Sequence, residues 1–235
     1  MSAITADLET VAQDRHAEAI MAAPFPADIW SPPANYKDPA KIAEKKAQAE
    51  AEWEASKLER VDALALSPRT GRIVVAGVKI GDGVGMPITA ASEKDEAGLL
   101  EDVWAYVLQA APLITFGGMT FDVDFLAQRS ALLRVCPDFK ALSHVGIRPL
   151  LRWHTTDRHV DVRMLLANWD RHAHGKKSEW AAAFGLPPQE HSGADVGRLY
   201  RAGDFAAIAR HCVADLNETW LMFQALAPLY LGRAA

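Results

Sequence analysis

The chain has 235 residues, half of them apolar, and a formal net charge of -5. That apolar content can bury a substantial core, which excludes a disordered chain, and the acidic balance excludes a generic basic coat for nucleic acid. No uninterrupted apolar run approaches the length of a membrane span, and no signal segment precedes the first strand; Cys136 and Cys212 fit neither a zinc spacing nor a disulfide framework. The expectation is a soluble protein of the reducing cytoplasm, without a membrane partner.

Residues 2 to 9 alternate as a strand does. Ile4, Ala6 and Leu8 face one way, and Asp7 and Glu9 share the other face. Two carboxylates projecting in parallel from a rigid strand suit a hard divalent cation, although a plain solvated pair has the same pattern. Pro24, Pro26, Pro32 and Pro33, with Trp30 and Tyr36, mark an extended loop, and packing is favoured over base stacking for Trp30, Tyr36 and Trp53. Asp38 before Pro39 reads as an N-cap followed by the first helical residue. From Ala40 to about Arg60 only Ala43, Ala47, Ala51 and Leu58 form an apolar stripe, which predicts a largely solvated helix. Strands are expected at Arg72 to Ile80 and near Pro87 to Ala91, then a helix from about Lys94 to Ala110 with acidic residues early.

Leu113 to Phe116 is a short apolar strand that runs into Gly117-Gly118 and then a helix opened by Asp122. Asp122 at that junction reads as a helix cap or as a site residue, and the glycines permit a turn or a close substrate approach. Residues His159 to Leu165 are either a strand or a helix start, and helices dominate from Ser178 onward. His154, His159, His172 and His174 cluster too loosely for zinc and read as solvated. Arg129, Arg134, Arg148, Arg152 and Arg163 are either surface residues or local holders of an anionic strand. In the last helix the apolar seam Ile208, Cys212, Asp215, Thr219, Met222, Leu226 includes a carboxylate. A carboxylate there must pair with a cation, bind a metal or sit at the lip of a cleft, and His211 lies one turn back on the same face.

The segments ADLET, TFGGMTFDVDFL and HCVADLNETWLMF resemble, in this order and separation, the three motifs of the DEDD superfamily of 3'-5' exonucleases, which have a ribonuclease-H-like fold. The resemblance extends to predicted exonucleases related to the proofreading domains of family-B DNA polymerases. RHVDVRMLLANW, EWAAAFGLP and SGADVGRLYRAGDFAAIARHC carry further similarity and leave mainly residues 12 to 70 outside it. It implies an α/β fold, a mixed central sheet flanked by helices, in one domain spanning 1–235. Residues 12–70 then form a proline-rich loop and charged helical insertion after the first strand.

The resemblance also implies a chemistry. Asp7, Glu9, Asp122 and Asp215 are the expected ligands of two divalent ions, Mg2+ or Mn2+, and His211 the group that orients or deprotonates the attacking water. Thr10, Gly118 and Phe121 are expected beside the substrate. The implied reaction is hydrolysis at a single-stranded 3' end, DNA favoured over RNA, releasing 5'-mononucleotides, with a replication or repair protein as a candidate partner. The sequence departs from the pattern at His211, where relatives carry Tyr, at Gly117, where they carry Asn, and at Asp124, where Pro is common. These departures point to the alternative of a catalytically weak or inactive adaptor that binds nucleic-acid ends or a replication protein.

Overall fold

The structure, a computed structural model, describes residues 2–28, 30–138, 147–152, 154, 156–170 and 175–232. Among the described residues five strands, β1 (Ile4–Ala12), β2 (Gly71–Ile80), β3 (Met86–Thr89), β4 (Leu113–Thr115) and β5 (His159–Asp161), form one sheet in the order β3-β2-β1-β4-β5. β1 pairs antiparallel with β2 and parallel with β4, so the sheet is mixed. Its first strand is therefore central, and the alternation read along it separates two layers of the molecule.

Ile4, Ala6 and Leu8 pack into a cluster with Leu99, Leu100, Val103 and Trp104 of α3 (Glu96–Val107) and Phe125 and Leu126 of α4 (Asp122–Leu133). On the opposite face lies α8 (Phe205–Tyr230), whose seam from Ile208 to Leu226 is buried as its spacing predicts. Gly77 of β2 makes this close approach feasible. A Cβ there would lie 2.7 Å from Cys212 Sγ and 2.8 Å from Leu216 Cδ1, so a larger residue would force these side chains of α8 to shift.

The insertion after β1 contains two helices, α1 (Asp14–Ala22) and α2 (Pro39–Leu64). No residue of α1 is buried, which is why apolar periodicity did not announce it. α2 begins as its sequence dictates: Asp38 accepts a bond from Ala40 N at 2.9 Å and Pro39 opens the helix. It buries only Lys57 and Val61. Trp53 packs edge-on to Phe25 with Arg60 over its ring, so this aromatic serves the insertion's own packing.

Two sequence readings change. His159 is not solvated. It is 1% exposed, with one ring nitrogen 2.8 Å from Thr115 Oγ1 and the other 2.6 Å from Leu150 O, tying β5 to β4. His172 and His174 lie outside the described residues. Arg129 is no strand holder either, for its guanidinium bonds to fully buried Glu96 at 2.9 and 2.5 Å, and Glu96 also accepts from Ile73 N. The ambiguous segment after residue 158 is both things in turn, β5 and then α5 (Val162–Leu166). α6 (Lys177–Ala183) and α7 (Val196–Arg201) complete the chain before α8.

Candidate functional site

Asp7 and Glu9 leave β1 toward α8, and the pairing with β2 shifts between Glu9 and Thr10 at a bulge whose extra residue is Val74 of β2. Such a bulge turns a side chain out of its regular direction. Opposite them, His211 and Asp215 stand one turn apart on α8, with His211 Nε2 3.6 Å from Glu9 Oε1 and 4.0 Å from Asp215 Oδ2. Cys212 Sγ lies 3.7 Å from Asp7 Oδ2. Donor atoms of Glu9, His211 and Asp215 all fall within 4.8 Å of one another, as do those of Asp7, Glu9 and Cys212.

Asp122 does not cap its own helix. Phe121 holds the N-cap position without a side-chain bond, and Asp122 Oδ1 instead accepts from Leu8 N at 3.1 Å, which sets it against β1 between Asp7 and Glu9. The turn that delivers it is held by Asp161, whose two oxygens accept from Gly117 N at 2.8 Å and Met119 N at 3.0 Å while also capping α5. Gly117 takes φ +83°, the left-handed region that a branched residue resists. Gly118 is buried, and a Cβ on it would strike Thr115 Oγ1; its lack of a side chain is thus required by the turn itself.

Crowding four carboxylates into a buried corner has an electrostatic consequence. Burial pushes the Asp7 carboxyl up to about 6, Asp215's charge adds to this, and the Lys177 ammonium opposes it. Burial and the charges of Asp7 and Asp215 raise Glu9 well above the carboxylate range, and burial with Asp7's charge does the same to Asp122. Desolvation lowers His211 and raises the Cys212 thiol. Burial works against the Lys177 charge, but the carboxylates of Asp7 and Asp215 outweigh it and hold the ammonium firmly protonated.

Sequence reasoning missed Lys177 and Gln189. Lys177 Nζ bonds to Asp215 Oδ2 and sits 3.6 Å from Asp7 Oδ1, a positive charge where the carboxylates from β1 and α8 meet. Gln189 bridges the other side, with Nε2 2.6 Å from Asp215 Oδ1 and Oε1 2.7 Å from His211 Nδ1. Both follow stretches of ordinary composition. Only their place on either side of the similar segment EWAAAFGLP, residues 179 to 187, hinted that this region approaches the site.

Beside a smaller cavity of about 400 Å³ lined by Gln189, His211 and Glu218, two larger ones adjoin the cluster. One, of about 890 Å³, is lined by Lys177, Gln189, His211, Asp215 and Glu218. The other, of about 700 Å³, is lined by Glu9, Thr10 and Phe121, by Asp62 and Leu66 at the end of α2 and just beyond it, and by Gly193 and Ala194, which border both. The structure thus groups Asp7, Glu9, Asp122, His211 and Asp215, puts Thr10 and Phe121 on an adjacent cavity wall, and leaves Gly118 inside the turn. A divalent cation suits this donor set: the oxygens converge, and Lys177 already brings a positive charge among them.

Among solved structures the chain is similar to the family B DNA polymerase from the hyperthermophilic archaeon Pyrobaculum calidifontis. The TM-score is 0.60 at 14% identity, over 97% of this chain and 25% of that one. The fold is accordingly the ribonuclease-H-like α/β arrangement of a polymerase exonuclease domain, and the chain spans about a quarter of the polymerase's length. No curated protein matches the chain. Residues 70–230 match the family described as predicted 3'-5' exonucleases related to the exonuclease domain of PolB, a range that contains Asp122, His211 and Asp215 and begins after Asp7 and Glu9. As that match takes in more than half of the chain, the protein belongs to this family of predicted exonucleases.

Proposed function

We propose that the chain is a metal-dependent 3'-5' exonuclease of the DEDD type, a single domain acting on single-stranded 3' ends, DNA in preference to RNA, and releasing 5'-mononucleotides. The observation that carries this reading is the meeting of carboxylates from three distant segments, Asp7 and Glu9 of β1, Asp122 of α4 and Asp215 of α8, beside open cavities. Asp7, Glu9, Asp122 and Asp215 would hold two divalent ions, Mg2+ or Mn2+, which when bound supply charge to the phosphate and to the departing 3' oxygen and acidify water. His211 Nε2 turns toward Glu9 and Asp215, where it can orient a water molecule or take its proton. Thr10 and Phe121, on the wall of the neighbouring cavity, would meet the terminal nucleotide.

A 3'-labelled oligonucleotide incubated with Mg2+ or Mn2+ tests this. Single labelled nucleotides should appear, and Asp122→Ala should stop their release; a chain inert with both ions refutes the reading.

One observation favours the adaptor as a second reading. Both oxygens of Asp215 are already engaged, one by Lys177 and the other by Gln189, as in a site closed to ions. An adaptor would bind 3' ends with unchanged affinity after Asp122→Ala and would show no saturable Mn2+ binding at the cluster.

A further inference from the structure

His211 is 4% exposed at its side chain and anchored on one side only. The hydrogen-bond chain that anchors it fixes the proton. Asp215 pairs with the Lys177 ammonium and can only accept, so the Gln189 group facing it must be the amide NH2. Gln189 therefore turns its oxygen to His211, and Nδ1 must be the ring nitrogen that carries hydrogen. What remains at Nε2 is a lone pair. It points among carboxylate oxygens 3.6 and 4.0 Å away, without a hydrogen bond to either. Three electron-rich atoms gathered within 4.8 Å and unlinked by any proton form a place for a cation. Donors about 2.0–2.2 Å from one ion lie about 2.8–3.6 Å apart at cis-octahedral or tetrahedral angles; the 3.6 Å pair fits that range as it stands, and the 4.0 Å pair closes by a few tenths of an ångström when an ion enters.

We propose that Glu9, His211 and Asp215 form a mixed nitrogen and oxygen metal site, with His211 Nε2 as a direct ligand and Gln189 as the positioning residue, selecting a transition-series divalent ion over Mg2+. The proposal rests on the reading of this cluster as a metal centre, puts direct ligation in place of the proton-accepting role of His211 Nε2, and adds a selectivity. Imidazole nitrogen is a good ligand for transition ions and a poor one for the harder Mg2+, which prefers oxygen and retains its water. A histidine ligand that donates its other ring hydrogen to an amide or carbonyl oxygen is also held in one tautomer and orientation, and Gln189 does this here. The Lys177 ammonium leaves Asp215 Oδ2 when the ion enters.

Pulsed electron paramagnetic resonance on the full chain, stripped of metal and loaded with Mn2+, reads the ligand directly. The expected spectrum shows a nitrogen coupling that changes when histidine is labelled with 15N and disappears in His211→Phe. Calorimetric titration should give Mn2+ affinity at least about tenfold weaker in His211→Phe, about 10–100-fold weaker in Gln189→Leu, and Mg2+ affinity altered less than about threefold in both. Bound manganese without histidine nitrogen coupling in the unmodified protein overturns the proposal, as does the absence of manganese binding; neither result depends on a variant folding. Nitrogen-coupled manganese in a chain that leaves the labelled oligonucleotide intact keeps this site and removes the exonuclease reading. Cleavage supported by purely oxygen-ligated manganese does the reverse.

Discussion

Asp7→Asn should make the metal-free protein more stable at neutral pH while abolishing its proposed activity. The Asp7 carboxyl is raised from 3.8 to about 6, chiefly by burial. Because the folded chain holds this proton more tightly than the unfolded one, the stabilising contribution is whole below about pH 4 and is lost as pH rises through about 6. At about 1.4 kcal/mol per pH unit, ionised Asp7 costs the metal-free fold about 3 kcal/mol at pH 7. Asparagine keeps the volume and removes the charge, so the variant should gain most of that amount, roughly 6–12 °C in melting temperature for a chain of this size. The assay is thermal and urea unfolding of both proteins in EDTA from pH 4 to pH 7. The difference should be small at pH 4, grow through pH 6, and shrink or reverse when saturating Mn2+ stabilises the unmodified carboxylate. A pH-independent difference in EDTA refutes the argument that the buried Asp7 charge costs the metal-free fold stability.

Three further outcomes follow from particular contacts. Lys177→Met removes the ammonium beside Asp7 and Asp215, and divalent-ion affinity measured by calorimetry should rise about tenfold or more, since a unit charge a few ångströms away is worth over a kcal/mol even in a well-screened setting; unchanged affinity would show that ion and ammonium do not compete. Arg129→Leu leaves Glu96 buried without its partner and should cost about 3–5 kcal/mol in urea unfolding, with a loss below about 1 kcal/mol showing that Glu96 finds another partner or takes up a proton. Asp161→Ala frees Gly117 N and Met119 N in the turn before Asp122 and uncaps α5; it should cost at least about 2 kcal/mol and lower Mn2+ affinity, and wild-type affinity in a destabilised variant would separate the turn from the site.

Much of this protein is legible from one strand and one helix. The alternation in β1 set Ile4, Ala6 and Leu8 against Asp7 and Glu9, and the sheet honours it because a strand has only two faces and α3 and α4 cover one of them. The seam of α8 likewise predicted which side Asp215 shares with Cys212 and Met222, since 3.6 residues per turn leaves little choice once the apolar side is packed. Strand order, by contrast, came from resemblance, as pairing partners are chosen by contacts distant in sequence. α1 escaped notice because it buries nothing, and His159 was misjudged because a histidine's partners, here Thr115 and Leu150, are invisible in its neighbours along the chain.

What the sequence by itself determined is the chemistry available: carboxylates on a strand face, at a helix start and on a helix seam, the first and last restricted by local geometry to a known direction. What only the tertiary structure decided is their electrostatic condition. Gly77 lets α8 close on β1, Asp161 pins the turn that brings Asp122 against Leu8 N, and Lys177 and Gln189 enter from the region before α7 to engage Asp215 and His211. Charge interactions fall off with distance and strengthen with burial, so the protonation of each group depends on neighbours 205 residues away along the chain, as Cys212 is from Asp7, and farther still, as Asp215 is. Local pattern can place a carboxylate on a face, and only the packed molecule sets which charges surround it.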